Sequence, residues 1–112
     1  MLLPAIQFEN NSASLREEAY KDLNMVVQLM KDNPALTAEW YVHTDEKGKD
    51  AYNDKLSQRR GETLTAFLVK HGIDASRTTA VGRGKRQPLV TGDTEENHAI
   101  NRRVELKLSE SK

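Results

Sequence analysis

Residues 43–60 read H-T-D-E-K-G-K-D-A-Y-N-D-K-L-S-Q-R-R, from His43 through Arg60. Before this stretch, Leu36, Ala38, Trp40 and Val42 alternate with Thr37, Glu39 and Tyr41, the pattern of a half-buried strand. Within it, Gly48 turns the chain, and a helix is expected from about Asn53 or Asp54. The unit is therefore strand, loop, helix. It places an acid, Asp45, at a strand end and a base, Arg60, in the early turns of the next helix.

Arg60 stands where a hydrocarbon side chain is expected. The apolar positions of this helix are Leu56, Leu64, Phe67 and Leu68. Residues four apart lie nearly above one another, so Arg60, four from both Leu56 and Leu64, falls inside the apolar stripe. Arg59 lies to the side. An unpaired guanidinium is costly to bury, so Arg60 must find an anion or reach an opening. Asp45 is the nearest candidate by loop geometry. Two readings stay open at this point: an internal ion pair tying strand to helix, or two charges at a pocket mouth that accept a ligand carrying one amine and one carboxylate.

The chain has 112 residues, enough for one domain with one core, read as 1–112 with the domain core at about 5–108. Its formal net charge is zero, so it lacks the electrostatic footprint of a nucleic-acid binder. There is no cysteine, which excludes disulfides and thiol chemistry. No apolar run reaches membrane-span length, and Met-Leu-Leu-Pro-Ala lacks the features of a signal peptide. The expectation is a cytosolic protein or a domain of a longer exported one.

Around the central unit, Ala5–Phe8 reads as a short strand. Ser14 and Glu17 match a capping box ahead of a helical stripe of Leu15, Ala19, Leu23, Val26, Val27 and Met30. Asn33-Pro34 ends that helix. His71-Gly72 closes the second helix, the glycine supplying a left-handed cap. Thr78–Val81 is a strand stopped by Gly82 and Gly84, in a basic loop with Arg83, Lys85 and Arg86. Thr91–Asp93 is a turn, Thr94–Ile100 a short helix, and Val104, Leu106 and Leu108 mark a last strand. The predicted fold is α+β, β-α-β-α-β-(α)-β, with two main helices on one face of a small mixed four-stranded sheet.

Other chemistry finds little support. His43, His71 and His98 match no metal-ligand spacing. No serine sits in a nucleophile elbow, and Asp45, Glu46 and Asp50 read as solvated loop acids before a catalytic pair. The Gly82–Arg86 run lacks phosphate-loop spacing. No cofactor is expected. Strand alternation directs Arg103 and Glu105 to the polar face and makes Arg102 a second arginine on the buried side.

Taken together, His43-Thr44-Asp45, Gly48, Asn53, Leu56-Ser57, Arg59-Arg60, Gly72-Ile73, Gly82-Arg83-Gly84, Pro88 and Asn101-Arg102-Arg103-Val104-Glu105 resemble the OmpA-like peptidoglycan-binding domain. That domain also occurs in peptidoglycan-associated lipoprotein and in flagellar stator proteins. The resemblance covers nearly the whole chain. It implies a non-enzymatic, periplasmic module of an outer-membrane or envelope protein that binds the stem peptide of peptidoglycan through diaminopimelate. It also implies membrane contact only through a parent protein. By the same resemblance, Asp45 takes the ligand's ammonium and Arg60 a carboxylate. Asn53, Thr44 and Asn11 add polar contacts, and Arg102 matches the first arginine of N-R-R. Two positions depart from the family pattern: Val42 where glycine is usual, and Gly61 where alanine is usual. The rival readings are a protein-interaction domain in which Asp45–Arg60 is structural, and a cell-wall hydrolase.

Overall fold

A computed structural model of the chain describes residues 1–44, 49–85, 96–97 and 101–110. Its elements are α1 (Ala19–Asp32), β1 (Leu36–His43), α2 (Asp50–Lys70), a 3-10 turn (Ala75–Arg77), β2 (Thr78–Gly84) and β3 (Val104–Glu110). The described sheet has the order β2-β1-β3. β1 runs parallel to β2 and antiparallel to β3, so the sheet is mixed. Both helices feed one core: Leu23, Val26 and Met30 of α1 and Leu64 and Leu68 of α2 pack with Trp40, Val42, Val104 and Leu106. This is the predicted α+β arrangement. None of the described helices is long and apolar enough to cross a membrane.

The helix ends follow local chemistry. Asn33 closes α1 twice, its backbone N–H and its side-chain amide both donating to the Leu29 carbonyl. At the end of α2, Gly72 takes a φ of +99°. Its N–H donates to the Val69 carbonyl, and the Ile73 N–H reaches back to Leu68. These bonds satisfy carbonyls that the helix leaves open and drop Ile73 into the core. Arg77 then donates to the carbonyls of Met30, Asn33 and Leu36, tying the connection after α1 to the start of β2.

Several expectations are corrected. Ala5–Phe8 is no strand; the fourth position beside β3 is taken by Met1–Leu3, through Leu3 N–H to Val104 O and Leu106 N–H to Met1 O. Phe8 makes only an isolated bridge with Leu15. The Ser14–Glu17 capping box does not form: α1 starts at Ala19, and the Ser14 N–H bonds the Ser12 hydroxyl. A turn stabilised by nearby side chains has outcompeted an earlier helix start. α2 begins at Asp50, one turn before the expected Asn53. Gly82 and Gly84 lie within β2, not beyond its end. A Cβ at Gly82 would come within 2.4 Å of the Gln58 backbone N, so glycine is what lets strand and helix approach. Glu96, Asn97 and Asn101 are helical, while Pro88, Thr91–Asp93 and the rest of the predicted Thr94–Ile100 helix lie outside the described residues.

Gly61 sits where α2 lies close against β2. A Cβ at Gly61 would lie 2.7 Å from the Ala80 Cβ and 3.6 Å from the Val42 Cγ2. The overlap would be with Ala80 on β2, whereas the Val42 methyl would be in ordinary van der Waals contact. Gly61 therefore costs helix propensity, about 1 kcal/mol relative to alanine, but avoids an overlap that alanine would create.

Candidate functional site

A cavity of about 870 Å³ opens between the N-terminal loop, the end of β1, the first turns of α2 and the start of β3. Its wall includes Asn11, Thr44, Asn53, Arg60 and Arg102, five of the six residues picked from the sequence. The sixth, Asp45, lies outside the described residues.

Arg60 is buried, with 8% of its surface exposed, as its place in the apolar stripe demands. Among the described residues, the loop after Phe8 holds it. Its Nε donates to the Ser12 carbonyl at 2.8 Å and one Nη to the Glu9 carbonyl at 3.1 Å. Its guanidinium also lies 5.1 Å from the Phe8 ring centroid, within cation–π range. Backbone carbonyls thus position the fork, which still faces the cavity.

Asn53, one turn inside α2, is buried and donates its side-chain amide to the Lys49 carbonyl. Asn11 is exposed and has a φ of +52°, a left-handed conformation that asparagine tolerates better than most residues. It turns the loop whose carbonyls hold Arg60. Thr44 ends β1; its N–H donates to the Gly84 carbonyl at 2.8 Å. Its hydroxyl is buried on the cavity wall with no partner among the described residues. A buried hydroxyl in that state is costly unless something supplies a bond.

The arginines of N-R-R are the reverse of expectation. Arg103 is buried and Arg102 is half-buried, though both line the cavity. Arg103 precedes β3 and faces Glu105, with Nε 3.6 Å from a carboxylate oxygen. The same carboxylate lies 2.7 Å from Nε2 of His43, which is 3% exposed. Burial holds the His43 pKa below its usual value, and the Arg103 and Arg83 cations add to this, while Glu105 pulls the other way. His43 is therefore a neutral imidazole donating Nε2–H to Glu105. It locks the strand end that presents Thr44. No metal-binding group of three or more His, Asp or Glu side chains exists among the described residues.

Sequence reasoning missed Tyr52, Arg16 and Glu18 on this wall. Tyr52 was accessible: it continues the stripe of Arg60 and Leu56 back by four residues. Arg16 and Glu18 lie in a non-helical turn that no periodicity marks. Glu18 is the single carboxylate among the described lining residues.

A protein-family model described as the OmpA family matches residues 7–102. Outer membrane porin F of Pseudomonas fluorescens is 41% identical over 100 residues, covering 89% of this chain. The chain spans only 31% of that porin's length. The crystal structure of the peptidoglycan-associated lipoprotein from Burkholderia pseudomallei superposes with a TM-score of 0.86 at 30% identity, covering 93% of this chain and 88% of that one. A cell wall anchor of the type VI secretion system (T6SS) from Pseudomonas aeruginosa follows at 0.77 and 30%, covering 94% of this chain and 75% of that one.

Proposed function

This chain belongs to the OmpA family, and from that premise we propose that it binds peptidoglycan noncovalently, taking the diaminopimelate of the stem peptide into the cavity beside Arg60. It is a binding module and not an enzyme. It works in the periplasm as part of an outer-membrane or envelope protein and holds that protein to the cell wall.

The observation that carries this reading is the buried Arg60 fork, facing a cavity with, on the same wall, a Thr44 hydroxyl that has no partner among the described residues. The free end of diaminopimelate is an amino acid head group, with an ammonium and a carboxylate on one carbon. Arg60 takes the carboxylate and Asp45, next in the chain after Thr44, takes the ammonium. Asn53, Thr44, Asn11 and Arg102 complete the polar lining. Charge-assisted bonds of this kind are worth roughly 1.5–3 kcal/mol each when shielded. A lysine-type stem keeps the amine but has no carboxylate for Arg60. A single site of this size binds weakly, and many copies facing a polymer hold firmly through effective concentration.

Co-sedimentation with purified sacculi tests the assignment. Wild type should pellet with diaminopimelate-type sacculi and stay soluble with lysine-type ones. Asp45→Ala should lose the pellet, and so should Arg60→Lys, whose point charge cannot replace the bidentate fork. Retention by both variants would rule out this pair as the anchor. Release of soluble fragments from the sacculi would favour a hydrolase instead.

A further inference from the structure

The cavity is larger than one amino acid head group requires. At about 870 Å³ it lies in the range that encloses drug-sized ligands. Besides Arg60, Arg102 and Arg103, its wall carries a fourth arginine, Arg16, the one that shares with Arg60 the turn after Phe8. The two arginines are positioned by the same short turn. Arg16 Nε donates to the Phe8 carbonyl at 3.3 Å, and Arg60 donates to the carbonyls of Glu9 and Ser12 while covering the Phe8 ring. Arg16 also lies 3.8 Å from the Glu9 carboxylate, with both side chains about half exposed, an ion pair too loose and too wet to hold it firmly. One buried fork and one rim fork thus share a wall, fixed by backbone carbonyls of the same turn, those of Phe8, Glu9 and Ser12.

We infer that Arg16 is a specificity-determining residue that reads a second carboxylate of the ligand, the free α-carboxylate of the γ-linked glutamate that precedes diaminopimelate in the stem. This rests on the peptidoglycan reading above. The chemistry follows from the linkage: a glutamate joined through its side chain leaves its main-chain carboxylate unbonded. That carboxylate lies one residue from the head group that Arg60 takes. Amidation of it, to isoglutamine, removes the charge while keeping the shape. The site therefore distinguishes free from amidated stems, and Arg16 is the residue that does so.

The test is a titration with two synthetic tripeptides, L-Ala-γ-D-Glu-meso-diaminopimelate and its α-amidated counterpart, followed by amide chemical shifts. Wild type should bind the acidic peptide about three- to fivefold more tightly, the scale of one half-exposed ion pair. Arg16→Gln should bind both peptides equally, at the wild-type affinity for the amidated one. Arg16→Glu should reverse the order and favour the amidated peptide. Equal binding of the two peptides by wild type, or unchanged discrimination in Arg16→Gln, overturns the role of Arg16 and leaves the peptidoglycan reading standing. Failure of wild type to bind either peptide overturns both.

Discussion

The two halves of α2 present different chemistry to the same side. From Leu64 to Leu68 the helix buries hydrocarbon against the sheet. From Asn53 to Arg60 that side carries an amide, a hydroxyl and a guanidinium, all buried. The C-terminal half needs only shape. The N-terminal half needs hydrogen-bond partners, and it draws them from three directions. Lys49 O serves Asn53, the Ser57 hydroxyl accepts from Gly84 N–H, and the loop at Glu9 and Ser12 serves Arg60. Residues in the apolar half act on stability alone, while those in the polar half act on both the cavity and the loop that walls it.

That division can be broken experimentally. The largest expected effect on folding belongs to Leu68→Ala, which leaves a void under fully buried Leu68 and should cost about 2–5 kcal/mol in a denaturant melt. Sacculus binding by the folded fraction should be unchanged. Arg60→Ala comes next. It removes two hydrogen bonds that hold the Glu9–Ser12 turn, whose carbonyls can turn to water, so the cost should be smaller, about 1–2 kcal/mol, while sacculus binding disappears. A melt as damaged as that of Leu68→Ala would make the polar half part of the core and erase the contrast.

The smallest effect is a pH dependence at the strand end beside the cavity. His43 has a folded-state pKa below its usual 6.5, because burial and Arg103 disfavour the cation more than Glu105 favours it. As pH falls, the unfolded chain takes the proton first. The stabilisation is therefore complete above about 6.5 and is lost as pH drops through the lower folded value. Melting temperature should fall between neutral and mildly acidic buffer, and His43→Gln should flatten that part of the curve. An identical slope in His43→Gln would place the titration elsewhere.

Much of this was legible in the chain, and the parts that were share a cause. Arg60 within a leucine stripe, Asn33-Pro34 after α1 and Gly72 after α2 are all decided by residues within a turn or two of each other. The errors involve partners far away in sequence. Met1–Leu3 rather than Ala5–Phe8 flanks β3, because pairing there is settled by Val104 and Leu106. Gly82 looked like a strand stop until the approach of Gln58 showed why a strand needs it. Arg102 and Arg103 exchanged roles because Arg103 packs toward Glu105 and His43.

By itself, then, the sequence determined the order of the main helices and strands, the family, and the inward placing of Arg60. Periodicity and capping are local, and a guanidinium in an apolar stripe is conspicuous wherever the chain goes. Only the tertiary structure decided what holds that guanidinium and what shares its wall. The carbonyls of Glu9 and Ser12 are some fifty residues away from Arg60, as the separations of 51 and 48 record. No local pattern encodes a contact whose geometry exists only once the loop, the strand end and the helix have closed around one cavity.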